Sequence, residues 1–262
     1  MNYSFCAQTD PGRARENNED SVAFDESTRL AVLADGMGGY NAGEIASGMA
    51  TAFIKSELAR WLSEAGKQAN VGQVRRAIEI CVDNANRSIF NASNANPQYS
   101  GMGTTLVVGV FQGGKLILGH IGDSRCYRLR GKELLQITRD HSLLQEQMDA
   151  GLLTPEQAAA SPNKNLVTRA LGVESSVMLE LHEHLLESGD LYLMCSDGLS
   201  DMMEDTAMAR ILQNGSSLAE MSQELVSTAN ENGGRDNITV LLTRVARISE
   251  KRGLLFKWLG KQ

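Results

Sequence analysis

Apolar residues along this chain follow two periods that alternate in blocks. Leu30 to Ala34 is an unbroken apolar run ending at Asp35 and a glycine-rich turn, Asp35-Gly-Met-Gly-Gly39, the pattern of a buried strand that stops abruptly. The glycines leave the backbone bare, so its carbonyls can approach an ion closely. The same device returns at Leu191-Tyr-Leu-Met-Cys-Ser-Asp197-Gly198. Short strands over 3–7 and 22–24 flank a polar, turn-like loop that holds Arg15, Glu19 and Asp20, the two acids standing just before a strand. Residues 43–65 keep near-helical spacing through Ile45, Met49, Phe53, Leu58 and Leu62. Residues 71–92 carry a stripe of Val74, Ile78, Cys81, Val82, Ala85 and Ile89. Two helices packed antiparallel are expected.

Residues 104–111, 115–121, 124–129 and 133–138 are apolar or β-branched with glycine turns between them, and predict an antiparallel meander. Gly122-Asp123-Ser124-Arg125 breaks that series and presents another isolated carboxylate. Residues 138–165 change character, with short helices expected at 141–150 and 154–160 in a surface insertion of the kind that borders sites. Strands at 177–185 and 191–195, helices at 205–213 and 217–230, and a strand at 238–245 complete the chain. Asp236 precedes that last strand within Gly233-Gly-Arg-Asp236-Asn237. His182 and His184 share one strand face and read as solvated rather than as metal ligands. There is no internal repeat, so a single domain over 1–246 is expected. A basic tail follows at 247–262, and its Leu254, Leu255, Phe256, Trp258 and Leu259 suit either a membrane-surface or partner contact or a segment lying on the domain.

Composition narrows the class of protein. The chain has 262 residues, 42% of them hydrophobic and 22% charged, enough for a substantial core. A net charge of −7 argues against nucleic acid as a partner. Cys6, Cys81, Cys126 and Cys195 form no Cys-x-x-Cys pair, which argues against a zinc or disulfide framework and for the reducing cytoplasm. The first residues lack a basic stretch followed by an apolar one, and no apolar run reaches the roughly 18 residues that span a bilayer.

The carboxylates carry the chemistry. Glu19 and Asp20, Asp35, Asp197 and Asp236 all sit at strand ends. Brought together unpaired they would repel and resist ionisation, and divalent cations remove that penalty. Oxygen-only ligands without a nearby Cys or His pair suit Mg²⁺ or Mn²⁺ rather than Zn²⁺. Two such ions sharing Asp35 could polarise a phosphoryl oxygen and activate water, with an arginine holding the phosphate.

Arg15-Glu-Asn-Asn-Glu19-Asp20, Asp35-Gly-Met-Gly-Gly39, Gly122-Asp-Ser-Arg125, Ser196-Asp-Gly198 and Gly234-Arg-Asp-Asn237 stand in the order found in the metal-dependent serine/threonine protein phosphatases. The chain resembles the bacterial branch of this PPM, or type 2C, family from about residue 3 to 245. The resemblance implies an α+β fold, a four-layer αββα sandwich of two antiparallel β-sheets flanked by pairs of helices. It implies that 138–165 is the family's flap, with Asn163-Lys-Asn-Leu-Val-Thr-Arg-Ala-Leu171 following it. Carried over by residue, Asp35 bridges two metals, Asp197 and Asp236 hold the first, and the Gly36 carbonyl with Glu19 holds the second. Asp20 orients water, Asp123 with Asp197 matches a third, weaker metal site, and Arg15 matches the phosphate-binding arginine. The implied reaction is direct attack of water on phosphoserine or phosphothreonine of protein substrates, opposing a Hanks-type kinase in signalling or secretion control. A monomer is expected.

The chain departs from its relatives at the proton donor. Animal members carry a histidine where this chain has Met37, and many bacterial members carry one where it has Tyr40. The proton for the leaving alkoxide would then come from water held by the metals or from Tyr40. Two other readings use the same residues: a phosphoprotein-binding module without catalysis, which would need a missing ligand or arginine, and a different two-metal hydrolase such as a phosphodiesterase.

Overall fold

The computed structural model describes residues 1–38, 42–154, 157–158, 161 and 166–246. Its strands are β1 (Asn2–Asp10), β2 (Asp20–Asp25), β3 (Leu30–Met37), β4 (Gly103–Thr104), β5 (Leu106–Gln112), β6 (Lys115–Ile121), β7 (Arg125–Arg130), β8 (Glu133–Gln136), β9 (Glu180–Leu185), β10 (Leu191–Cys195) and β11 (Ile238–Ala246). Its helices are α1 (Ala42–Ala65), α2 (Val71–Ala95), α3 (Leu143–Asp149), α4 (Asp197–Ser200), α5 (Asp205–Asn214) and α6 (Leu218–Glu231). One sheet has the order β1-β11-β10-β7-β8 and the other β2-β3-β5-β6-β9, with β4 on β3. All the paired strands are antiparallel.

The continuous apolar run of β3 is explained by burial on both faces. Leu30, Val32 and Ala34 pack with α1 and α2, while Ala31 and Leu33 point at the other sheet. β11 does the same in mirror fashion, with Ile238, Val240 and Leu242 under α5 and α6 and Leu241 and Val245 between the sheets. The result is four layers with three cores. The middle core is centred on Phe111, whose ring meets Tyr3, Phe5 and Tyr192 at centroid distances of 5.5, 5.8 and 5.5 Å.

Three expectations are corrected. The meander is not continuous: β5 pairs β6 and β7 pairs β8, but β6 and β7 lie in different sheets. The chain crosses between them at Gly122, whose φ of +98° favours glycine. The buried face of α1 is Ala42, Ala46, Ala50, Ile54, Leu58 and Leu62, with Ile45 exposed and Met49 and Phe53 at the margin. Small residues there let the helix lie close on β3. The strand expected at 177–185 begins only at Glu180. The helix expected at 154–160 falls largely outside the described residues, as do Tyr40 and the tail at 247–262.

The segment expected to be the flap is anchored at its root. Ser142 bridges Val167, Leu143 N–H donates to the Leu166 carbonyl at 2.9 Å, and Leu171 bridges Thr104 beside β3. None of the helices in the described residues is long and apolar enough to cross a membrane.

Candidate active site

Strand register brings the carboxylates to one end of the sandwich. Asp20 opens β2 directly across from Asp35 near the end of β3. Cys195, at the end of β10, faces Val240 of β11 on one side and Arg125 of β7 on the other. Asp197, just after β10, therefore shares an edge with Asp236, just before β11, and with Asp123, just before β7. The two sheets are joined there by Ser196, whose hydroxyl donates to Asp20 Oδ2 at 2.7 Å and accepts the Thr239 N–H at 3.0 Å.

Each acid is fixed by its backbone. The Asp35 N–H donates to Thr105 Oγ1 at 3.0 Å, and its carbonyl accepts from the Thr105 N–H and Thr104 Oγ1, both at 2.8 Å. The Glu19 N–H donates to Asn237 Oδ1 at 2.7 Å, and Asn237 Nδ2 donates to the Pro11 and Asn17 carbonyls at 3.0 and 2.8 Å. One asparagine thus ties the Arg15–Glu19 loop to the start of β11. Gly36 and Gly43 touch so closely that a Cβ on Gly36 would stand 2.1 Å from the Gly43 carbonyl oxygen, and a Cβ on Gly43 would stand 2.6 Å from Glu19 Oε2. Glycine at both places lets the Glu19 carboxylate and the β3 end meet the first turn of α1.

Asp123 is held through the root of segment 138–165. The Gly122 N–H donates to His141 Nδ1 at 3.1 Å, and the His141 N–H donates back to the Gly122 carbonyl at 2.9 Å. His141 Nε2 meets Glu180 Oε2 at 3.1 Å, and its ring stacks on His120 at 4.7 Å. His120, His141 and Glu180 lie close enough to suggest a metal centre. The rings are nearly parallel, at 13°, so their in-plane lone pairs do not converge, and His141 Nδ1 is already taken by Gly122. This cluster is a hydrogen-bonded clasp. His182 pairs with Glu180 and is half exposed, as expected, whereas His184, 6.4 Å away, has its Nε2 buried, against the expectation that both are solvated.

The electrostatics of the edge are those of crowded anions. Burial, then the charges of Asp20, Asp197, Asp123 and Asp236, push the Asp35 carboxyl well above its ordinary range. Burial, then Asp123, Asp201, Asp236 and Asp20, do the same to Asp197. Burial raises Asp20 to about 7 against the opposing bond from Ser196, and raises Asp123 to about 6, helped by Asp140. Glu19 is raised by burial, opposed by Arg15. Asp20 Oδ1 is buried without a hydrogen-bond partner among the described residues. Arg15 donates to Asp236 Oδ2 at 2.8 Å with its side chain 55% exposed, which leaves guanidinium donors accessible to solvent or ligand.

This donor set fits divalent cations. It is all oxygen, its repulsion is unrelieved by enough arginine, and it includes an orphaned carboxylate oxygen. The structure thus brings together Arg15, Glu19, Asp20, Asp35, Gly36, Asp123, Asp197 and Asp236. Tyr40 lies outside the described residues. Met37, within β3, offers a thioether and no proton. Ser196, Asn237, Thr104 and Thr105 are the supporting residues whose roles sequence reasoning missed. Ser196 and Asn237 lie inside the recognised motifs, but their partners are up to 226 residues away.

Comparison with known proteins agrees with this geometry. The profile of the family described as Protein phosphatase 2C matches residues 12–243. The serine/threonine phosphatase stp of Listeria monocytogenes is 37% identical over 242 residues, 90% of this chain and 93% of that protein. The crystal structure of the Mycobacterium tuberculosis serine/threonine phosphatase PstP superposes with a TM-score of 0.84 at 37% identity, covering 94% of this chain and 100% of that one. The PstP catalytic domain in complex with two manganese ions gives a TM-score of 0.80 at 38% identity, covering 94% and 99%. This chain therefore belongs to the protein phosphatase 2C, or PPM, family of metal-dependent serine/threonine protein phosphatases.

Proposed function

We propose that the chain hydrolyses phosphoserine and phosphothreonine on proteins at the carboxylate edge, with Mn²⁺ or Mg²⁺ as cofactor, two ions per site. The observation that carries this reading is the convergence of Asp20, Asp35, Asp123, Asp197 and Asp236 from both sheets onto one oxygen-only site. Asp35 would be the shared ligand, Asp197 and Asp236 would hold the first ion, and Glu19 with the Gly36 carbonyl would hold the second. Asp123 with Asp197 offers a third, weaker place. When bound, the ions offset the anionic repulsion, polarise the phosphoryl group and lower the pKa of water.

The chain's own residues do the rest. Arg15, half exposed beside Asp236, binds the non-bridging phosphoryl oxygens and fixes the orientation of the ester. Asp20, held by Ser196, accepts a hydrogen bond from the attacking water and aligns it. Tyr40 is a candidate donor to the leaving alkoxide. The domain comprises 1–246, with 138–165 as flap and 247–262 as a basic tail. Phosphoserine and phosphothreonine on proteins are made by protein kinases, so the enzyme opposes a serine/threonine kinase in signalling or secretion control in the cytoplasm.

The test is phosphate release from a phosphothreonine peptide with Mn²⁺ and with EDTA, for wild type and Asp197→Ala. Metal-dependent release that disappears in the variant supports the reading. No release from wild type across several phosphopeptides sinks it in favour of a binding module, and faster release from a phosphodiester points to a different two-metal hydrolase.

A further inference from the structure

We propose that Arg128 and His184 form a binding site for a small oxyanion, a carboxylate or a phosphate, on the open side of the sandwich between the edge strands β8 and β9. Each of these strands ends its sheet. On β7, Cys126 packs in the middle core while Tyr127 and Leu129 pack under the outer helices, so by alternation Arg128 points into the layer between the sheets. On β9, His184 stands across from Leu116 and His182 across from Leu118, both of the middle core, so the two histidines point into the same layer. Arg130 ties the two strands together there, donating to the Leu185 carbonyl at 2.8 Å. Arg128 Nε and His184 Nε2 therefore enter one layer from opposite sheets, and both atoms are buried without a hydrogen-bond partner among the described residues.

The missing partner is an anion. Arg125, at the start of β7, makes three bonds to Asp140, of 3.1, 2.9 and 2.7 Å, and Arg130, at its end, pairs with Asp190 and Glu187 at 2.8 and 2.7 Å. Arg128, between them, has no carboxylate among the described residues. Glu180, on the same face of β9, is spent on His141 and His182 at 3.1 and 2.7 Å. Glu133, across from Arg130, is exposed and forms no ion pair among the described residues. Burial, then the charges of His182 and Arg128, hold the His184 imidazole below its ordinary value, so near neutral pH it is uncharged and offers one N–H, on Nε2. A guanidinium Nε–H and an imidazole N–H with no acceptor between them match the oxygens of one carboxylate or phosphate. Both residues are half-buried, which leaves the pair open to a ligand from solvent. His184 lies four residues along β9 from Glu180, about 13 Å at the rise of a strand, so the site stands apart from the carboxylate edge.

The test uses the Mg²⁺-loaded full chain, whose four histidines give four proton–carbon ring signals in a nuclear magnetic resonance spectrum. Sodium acetate and sodium phosphate are titrated separately against sodium chloride at constant ionic strength. The His184 signal should move saturably, with half-saturation at a few millimolar. His182 should move less, and His120 and His141 should hold still. The Arg128 Nε–H signal should shift over the same range. A response to acetate alone marks a carboxylate site, a response to phosphate alone a phosphate site, and either supports the proposal. Arg128→Gln should weaken the His184 response roughly tenfold, the loss of a charge-assisted pair, and Arg128→Lys should restore part of it. Because Arg128 reaches a packed layer, His184→Phe supplies the second reading, in which the Arg128 Nε–H response should weaken. Phosphate also reaches the carboxylate edge, so Arg15→Ala should leave the His184 response as in wild type. A His184 response that chloride reproduces, that survives Arg128→Gln or that disappears in Arg15→Ala overturns the proposal. Absence of a saturable shift with both anions overturns it too and leaves the two nitrogens to bound water.

Discussion

β3 and β10 end in the same short text, an apolar strand followed by Asp-Gly, yet the two halves of the site hold their aspartates in different ways. Asp35 is still within its strand, and the strand end is seated by close backbone approach: Gly36 on Gly43, and Ala46 and Ala50 of α1 on the sheet. Asp197 has left its strand and opens the four-residue helix α4. Its surroundings are held by side-chain hydrogen bonds: Ser196 donates to Asp20 and accepts from the Thr239 N–H, and Asn237 accepts from the Glu19 N–H and donates to the Pro11 and Asn17 carbonyls. Both halves use a close glycine contact, Gly36 on Gly43 and Gly198 on the Asn237 carbonyl, and both use side-chain hydrogen bonds, from Thr104 and Thr105 in the first. They differ in that the β3 half is seated on a helix through small residues, while the β10 half is tied to the other sheet and to the Arg15–Glu19 loop through Ser196 and Asn237. The shared text specifies where the carboxylate emerges, at a strand end on the common edge, and not the backbone that presents it.

Removing the carboxylates separates the two roles most sharply. Asp35→Asn and Asp197→Asn should each lower kcat/KM on a phosphothreonine peptide by roughly a thousandfold, if each serves as a metal ligand as proposed. The same variants should raise the Tm of the metal-free protein by roughly 2–6 °C, because each deletes a buried charge that repels its neighbours. Asp236→Asn should lose comparable activity while shifting the metal-free Tm by less than about 2 °C, since its carboxylate already has Arg15 as a partner. Differential scanning fluorimetry in EDTA beside peptide kinetics reads both quantities, and a fall in Tm for Asp35→Asn would contradict the account of the site as a store of repulsion.

The pH dependence follows from the same charges. Asp20 and Asp123 are raised to about 7 and about 6, so in this window the native state binds protons that the unfolded chain has released. Stability of the metal-free protein should therefore fall as pH rises from about 4 to about 7. Saturating Mn²⁺ should flatten the slope or reverse it. Thermal unfolding across that range in EDTA and in Mn²⁺ checks the sign, and a metal-free stability that climbs toward pH 7 would break it.

Smaller changes address the means of positioning. Ser196→Ala strips a donor from buried Asp20 and an acceptor from the Thr239 N–H, and should cost about 2–3 kcal/mol in urea unfolding. Thr105→Val leaves the Asp35 N–H without its acceptor and breaks the buried bond to Ser124 Oγ but removes no partner from a carboxylate, and should cost about 1–2 kcal/mol, less than Ser196→Ala. Equal costs would mean that the two halves are held alike after all.

Much of this was legible in the chain because it was local. The unbroken runs at Leu30–Ala34 and Leu191–Cys195 announce strands buried on both faces, and each acidic motif marks its own strand end. What was not legible was set by partners far away. Asn237 reads as a turn residue until Pro11 and Asn17 are beside it, and Ser196 as a strand terminus until Asp20 is. The switch of sheets at Gly122 is invisible because β6 and β7 have the same apolar character whichever sheet they join. The clasp at His141 depends on Gly122 and Glu180, which approach it only in the fold.

Helix α1 shows the limit of periodicity most plainly. Ile45 is the larger apolar residue and draws the expected face toward itself, but it is 36% exposed, whereas Ala46 is fully buried against β3. Hydrophobic size points to one face and close approach demands the other, and close approach wins because Gly36 and Gly43 already bring helix and strand into contact. Ala46→Leu should therefore overpack the β3 half, at a cost of roughly 1–3 kcal/mol, and push the first turn of α1 away from Glu19. Its kinetic mark should be a weakened response to low Mn²⁺, recovered at high Mn²⁺. Ile45→Lys should change stability by less than about 0.5 kcal/mol and leave the Mn²⁺ dependence alone. The reverse ranking of the two would place Ile45 in the core and require a different seat for the β3 carboxylate.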